Sequence, residues 1–258
     1  MSPRYQDRIV SFIDILGFAG AIERSSSDSF LTKKIYEALR TAPFGSPIYG
    51  PPKYPASMSY SESVVSTNFS DSIVISAERS MCGLATVIEM SRAFSAILLQ
   101  LGMLVRGGVA CGPLIHEDRV IFGPGLVSAY QLESKVAKVA RIILDGSLSD
   151  YVDTCRRETF YFKEYLEASL RVDTDGYSYI HVLREMEEDS VAGRAGSLQK
   201  SWWGKARKTI LDELVAARGE EYYDKVEWFA RYYNRSISVS TARKDSHDWS
   251  TPLQLPLH

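Results

Sequence analysis

The chain has 258 residues, a length between one typical domain and two. Lys plus Arg number 30 and Asp plus Glu 32, a formal charge of −2, which argues against a protein built mainly to coat nucleic acid. A hydrophobic content of 45% with 24% charged residues is ordinary for a folded chain and argues against global disorder.

No uninterrupted apolar run approaches the ~20 residues that span a bilayer, and residues 1–8 lack the apolar centre of a signal peptide. Cys82, Cys111 and Cys155 lie far apart and form no CxxC pair, so neither a disulfide framework nor a zinc knuckle is indicated. The expectation is a reduced, cytoplasmic protein with no membrane partner.

Residues 8–14 (RIVSFID) form a β-rich run ending in a carboxylate, and Gly17-Phe18 then leads into a helix. Residues 30–39 continue as helix, with Leu31, Ile35 and Leu39 four apart. Proline, glycine and serine fill 41–59, a loop by composition. Residues 62–68 and 72–76 read as two strands of a hairpin whose turn carries Asp71. The strongest helical pattern is 81–101, where Val87, Met90, Phe94, Ile97 and Leu101 recur every three or four residues. LVRGGVAC at 104–111 predicts a strand whose glycines permit close backbone approach. A strand at 119–122, a helix opened by Gly123-Pro124-Gly125 and running to about 137, and a strand at 141–145 follow.

This order predicts a mixed sheet layered with helices, an α/β or α+β sandwich. Beyond Asp145 the pattern changes, with amphipathic helices expected at 201–219 and 220–234. Val226, Phe229, Ala230 and Tyr233 share one face of the second. The expected organisation is a catalytic-type core over 5–145 and a C-terminal extension over 146–258 packed on it.

Asp14 and Asp71 both border apolar strands, where an unpaired charge is costly to bury. Two such carboxylates at neighbouring strand ends could hold two divalent cations, Mg²⁺ or Mn²⁺, which prefer oxygen ligands. Asp is equally at home as a helix cap or at a turn, so these residues alone leave both readings open. Trp202, Trp203 and Trp228, near Lys205, Arg207 and Lys208, could suggest a nucleic-acid surface. Their helical spacing and the nearby Glu220, Glu221 and Asp224 point instead to packing, with no nucleic-acid partner.

Four blocks in order, FIDILGF at 12–18, FSDSIVIS at 69–76, LVRGGVACG at 104–112 and FGPGLVSAYQLES at 122–134, resemble the class III nucleotidyl cyclases. The resemblance covers about residues 8–145. It implies an α+β, ferredoxin-like βαββαβ core that forms a homodimer with sites at the interface. It also implies a reaction in which two metals activate a ribose 3′-hydroxyl for attack on the α-phosphorus, releasing pyrophosphate. Carried onto this chain, Asp14 and Asp71 are the expected metal ligands, with the backbone carbonyl of Ile15. The amides at Gly17 and Phe18 would meet the phosphates, while the Phe18 side chain is expected to pack in the core.

The departures are specific. Thr67 and Val120 stand where purine cyclases read the base edge, and Val127 and Gln131 where they carry transition-state groups. This combination resembles the pyrimidine cyclases of bacterial Pycsar anti-phage systems, implying UTP or CTP as substrate and a separate effector reached through the cyclic product. A domain that binds a nucleotide or a partner without turnover is the alternative. Arg106, beside two glycines, is the best expected phosphate cation, joining Asp14 and Asp71 as catalytic. Arg141 is the runner-up. Tyr60 and Thr67 are the expected base-contacting residues, Tyr60 through its ring.

Overall fold

A computed structural model of the chain describes residues 3–41, 61–117, 120–191, 197–220, 222–240 and 252–255. Strand β1, Gln6–Ile15, leads through Gly17 into α1, Phe18–Ser25. Helix α2, Ser29–Thr41, follows, and Asp28 caps it by accepting from the Phe30 and Leu31 amides at 2.9 and 3.1 Å. The hairpin comprises β2, Val65–Phe69, and β3, Ser72–Glu78. Helix α3, Met81–Gln100, starts at Ser80, whose hydroxyl accepts from the Gly83 amide at 2.9 Å. Then come β4, Val105–Glu117, β5, Val120–Phe122, and α4, Pro124–Gln131. Helix α4 opens into a π-helical turn, Leu132–Val136, and β6 is Ile142–Leu144.

The eight described strands run β2-β3-β1-β4-β6-β8-β7, with β5 paired to the far end of β4. Each of the first four is antiparallel to its neighbours, and β1 lies between β3 and β4. This is the ferredoxin-like βαββαβ arrangement that the sequence blocks implied. β6 joins β4 in parallel, a connection made by crossing over through α4.

The segment beyond 145 is more than the two expected helices, which are present as α8, Ser197–Ala216, and α9, Tyr223–Ser240. It also carries α5, Gly146–Glu158, α6, Phe160–Ser169, β7, Leu170–Val172, β8, Ser178–Ile180, and α7, Arg184–Val191. β8 pairs antiparallel with β6, so the sheet continues across the expected boundary at 145.

The sheet is covered on both faces. Ile9, Ile13, Ile73 and Ile75 meet Leu84, Ile88 and Leu98 of α3 on one. On the other, Val10, Val74, Ala110 and Leu114 sit under Ala129 of α4. A third apolar cluster joins α3, the end of α4 and β6 to α8 and α9, and it buries Trp202, Trp203, Phe229 and Tyr233. The tryptophans of α8 are thus packing residues, as their helical spacing predicted. By length and composition α3 is apolar enough to cross a membrane, although most of it is buried inside the molecule. Each buried Leu or Ile contributes about 1.5–3 kcal/mol, so packing between two layers accounts for its composition.

Candidate active site

Three local features bring Asp14 and Asp71 to one edge of the sheet. Asp14 is the penultimate residue of β1 and lies opposite Ser72 of β3 and Arg106 of β4. Asp71 sits in the two-residue turn of the β2–β3 hairpin, beside Ser70 in the left-handed region at φ 51°. The Ile15 amide donates to the Asp71 carbonyl at 3.0 Å, fastening the end of β1 to that turn. Gly17 then turns the chain at φ 70°, which favours glycine, and caps α1 without a side-chain acceptor. The first amides of α1 therefore remain available to an anion. The Phe18 side chain is buried with Ile15 and Ile35, so only its backbone can serve a ligand.

Arg106 is committed to a partner that the sequence did not single out. Its Nε donates to Oε1 of Glu133 at 2.6 Å, and its Nη2 meets the same oxygen. Glu133 is only 3% exposed. It lies in the π-helical turn, where one extra residue per turn redirects side chains. The second glycine of the RGG motif makes this contact possible. A Cβ at Gly108 would lie 2.6 Å from the Ala129 carbonyl oxygen and 2.8 Å from Leu132 Cβ. Without it, the helix end settles directly on β4 and brings Glu133 over Arg106.

The electrostatic consequence is an excess of negative charge. Asp14 is pushed up to about 6, first by burial and then by the charges of Glu133 and Asp71, against the opposing pull of Arg106 and Lys225. Glu133 is also raised, because burial outweighs its Arg106 partner. Lys225 comes from α9, in the C-terminal extension, and sequence reasoning did not connect it with this edge.

The donor set fits a hard divalent cation. Asp14, Asp71 and the Ile15 carbonyl offer oxygen alone, in a region short of positive charge. Among the described residues no group of three or more His, Cys, Asp or Glu forms a ready cage. Mg²⁺ commonly uses one or two carboxylates and completes its shell with water and substrate phosphates, so two carboxylates suffice.

The other expected residues lie elsewhere. Thr67 pairs with Val74, which pairs with Phe12, so by alternation it shares the Asp14 face two positions along. Its hydroxyl meets His116 Nε2 at 2.9 Å, and the Ser76 hydroxyl meets Nδ1 at 2.8 Å. Burial, then Arg8, holds His116 down at about 4, so the ring is neutral at ordinary pH. Arg141 is engaged by Asp173 and Asp175 and lies over the Trp228 ring, which makes it a structural arginine. Tyr60 lies outside the described residues. Val120, Phe122, Val127 and Tyr130 are exposed along β5 and α4, with Tyr5 beside Phe122 and Tyr130 edge-on to Phe12 at 5.4 Å.

No protein-family model and no curated protein matches the chain. Among solved structures, it is similar to the monomeric guanylyl cyclase domain of the RhoGC fusion protein from the aquatic fungus Blastocladiella emersonii. Identity there is 12% and the TM-score 0.42, over 69% of this chain and 98% of that one. A double mutant of that domain gives 12% and 0.41, over 69% and 96%. The catalytic core of a rhodopsin-guanylyl cyclase with converted specificity, in complex with ATPαS, gives 14% and 0.39, over 68% and 95%.

Proposed function

We propose that this protein is a metal-dependent nucleotide cyclase acting on a pyrimidine ribonucleoside triphosphate, with UTP preferred over CTP. The observation that carries the reading is the meeting of Asp14 and Asp71 at one sheet edge, beside an α1 N-terminus with no side-chain cap. Asp14, Asp71 and the Ile15 carbonyl would hold two divalent cations, Mg²⁺ or Mn²⁺, which when bound make the 3′-hydroxyl more acidic and neutralise phosphate charge. The amides at Gly17 and Phe18 meet phosphate oxygens. The 3′-oxygen attacks the α-phosphorus, its proton passes to solvent, and the bond to the bridging oxygen breaks as pyrophosphate leaves. Replacement of the purine-reading positions by Thr67 and Val120 supports the pyrimidine choice. In this reading the cyclic nucleotide is a cytoplasmic messenger in anti-phage defence, acting through a separate effector.

The exposed apolar row along β5 and α4 supports a homodimer, because a second copy would cover it. Val127 and Gln131, at the positions where the family carries transition-state groups, are exposed on the same helix. Light scattering should report about twice 28.9 kDa.

One observation favours a nucleotide-binding module without turnover: Arg106, the expected phosphate cation, is engaged by Glu133. The deciding experiment mixes the protein with Mn²⁺ and equal UTP, CTP, ATP and GTP. Cyclic UMP as the main product supports the full proposal, and cyclic CMP overturns only the uracil choice. Cyclic purine products overturn the pyrimidine assignment. Nucleotide binding with no product supports the module.

A further inference from the structure

A cavity of about 400 Å³ is walled by α2, the turn after α3 and α8, and neither Asp14 nor Asp71 lines it. That volume suits a small molecule. Its walls carry four lysines, Lys33 and Lys34 from α2 and Lys205 and Lys208 from α8, against two carboxylates, Glu37 and Asp212. Both carboxylates are engaged within their own helices: Lys33 meets Glu37 at 3.8 Å and Lys208 meets Asp212 at 2.6 Å. Lys34 and Lys205, on different walls, have no ion pair with any described residue.

The fold does not need these two ammonium groups. At the end of α3 the Ile97 and Leu98 carbonyls accept from the Leu101 amide at 3.1 and 2.9 Å, and the Leu99 carbonyl accepts from the Thr209 hydroxyl at 2.8 Å. That helix end is therefore satisfied without a lysine cap. The Lys34 Nζ lies 5.4 Å from the centroid of the exposed Phe30 ring, and a Cβ on Gly102 would stand 3.5 Å from it. It thus sits between two lining residues, one on α2 and one in the turn into β4.

An ammonium offers three donors and no acceptor, so the complementary ligand is an anion rich in oxygen acceptors. Two uncompensated charges match a dianion, and Phe30 and Leu101 add apolar wall beside them. Lysine binds phosphate as a mobile point charge, which suits a cavity whose donors come from two helices.

We propose that this cavity is a binding site for a phosphoryl dianion, held by Lys34 and Lys205 and either carried by a small phosphate ester or present as free phosphate. Lys34 belongs to the core and Lys205 to the extension, so the ligand bridges the two. The site is separate from the proposed nucleotide site and does not rest on the cyclase reading.

The test is calorimetry on the full chain at pH 8, where phosphate monoesters are dianions, without divalent metal and with inorganic phosphate and phenyl phosphate as probes. Lys34→Met and Lys205→Met should each weaken binding by roughly 10-fold, and the double variant by more. Lys34→Arg should recover most of the loss. Lys163, exposed on α6 and 3.9 Å from Glu167, lies outside the cavity, and Lys163→Met should bind as wild type. Thermal unfolding without ligand should be the same for all of them. Tighter binding of phenyl phosphate than of inorganic phosphate supports an ester seated against Phe30, and equal affinity supports free phosphate. Wild-type affinity in the double variant overturns the proposal, since the anion then binds elsewhere, and so does a wild type that binds neither probe.

Discussion

Two clusters of buried acids and arginines in this molecule use the same residue types to opposite effect. In the first, Glu89 of α3 receives Arg184 at 2.7 Å, Arg92 at 2.8 and 2.9 Å, and the Tyr165 hydroxyl at 3.2 Å. Burial alone would raise the Glu89 carboxyl, but Arg92 and Arg184 outweigh it and the carboxyl lies below its ordinary range. In the second, at the end of β1, Asp14 and Glu133 are both raised although Arg106 and Lys225 are near. The difference is charge balance. Two arginines meet two carboxylates, Glu89 and Glu185, between α3 and α7, whereas Asp14, Asp71 and Glu133 outnumber the cations that act on them. The first cluster is complete in itself and holds elements together. The second is short of positive charge, the condition that a divalent cation relieves.

The largest expected effect separates the two by function. Asp14→Asn and Asp71→Asn should each lower cyclisation by roughly 10³-fold or more, since each removes charge that neutralises the cations. Thermal unfolding should stay the same or rise for Asp14→Asn, because the charged form of that carboxyl is disfavoured in the fold. Near-normal product formation in either variant, read by chromatography, would reduce that Asp to a cap or turn residue.

Glu89→Gln should do the reverse. It leaves Arg92 and Arg184 buried without their acid, a loss of about 3–5 kcal/mol. Denaturant unfolding should show it, while activity per folded molecule remains. A variant as stable as wild type would mean that Glu185 and Ser169 suffice for the two arginines, since Glu185 meets Arg92 at 3.1 Å and Ser169 accepts from Arg184 at 2.6 Å.

Gly108→Ala probes how the second cluster is assembled. The added methyl meets the Ala129 carbonyl and Leu132, so the helix end must lift from β4. Overpacking of this kind costs about 1–3 kcal/mol. The Arg106–Glu133 pair should loosen with it, and loss of stability with no change in activity would separate that pair from the site.

The smallest effect is one of pH. Asp14 holds its proton up to about pH 6 in the fold, against an ordinary value of 3.8. Its folded pKa is raised, so the stability it contributes is complete below about 3.8 and is lost as pH rises through 6. Glu89, with a lowered pKa, contributes stability that is lost as pH falls. A metal ligand must be deprotonated, so Mg²⁺ affinity should fall below pH 6 by at most about tenfold per unit. Calorimetric affinity that is flat from pH 5 to 8 would remove Asp14 from the ligands.

Much of this was legible before the fold was known. The strands and helices up to residue 145 follow from local signals: short β-rich apolar runs in β1 and β3, three- and four-residue spacing in α3, and Gly-Pro-Gly ahead of α4. Asp14 and Asp71 stood out as carboxylates beside apolar strands, and the family resemblance rather than the residues alone selected the metal reading over a cap or turn. Strands β7 and β8 have three residues each, too few for alternation to register. Helix α5 does carry a local signal, since Asp145 caps it by accepting from the Ser147 amide at 3.1 Å. Glu133 left almost none. A π-helical turn adds one residue per turn without altering composition, and only the seating of that turn on Gly108 directs Glu133 to Arg106.

Composition and periodicity therefore determined the layers and the chain order of the core elements, because these depend on interactions within a few residues along the chain, whereas the choice of the two aspartates rested on the family resemblance. Tertiary packing decided which polar groups meet: Arg106 with Glu133, Thr67 with His116, and Arg141 with Asp173. Those partners are brought together by close contact between distant segments, and a charge gives no sign in the sequence of which distant surface it will face.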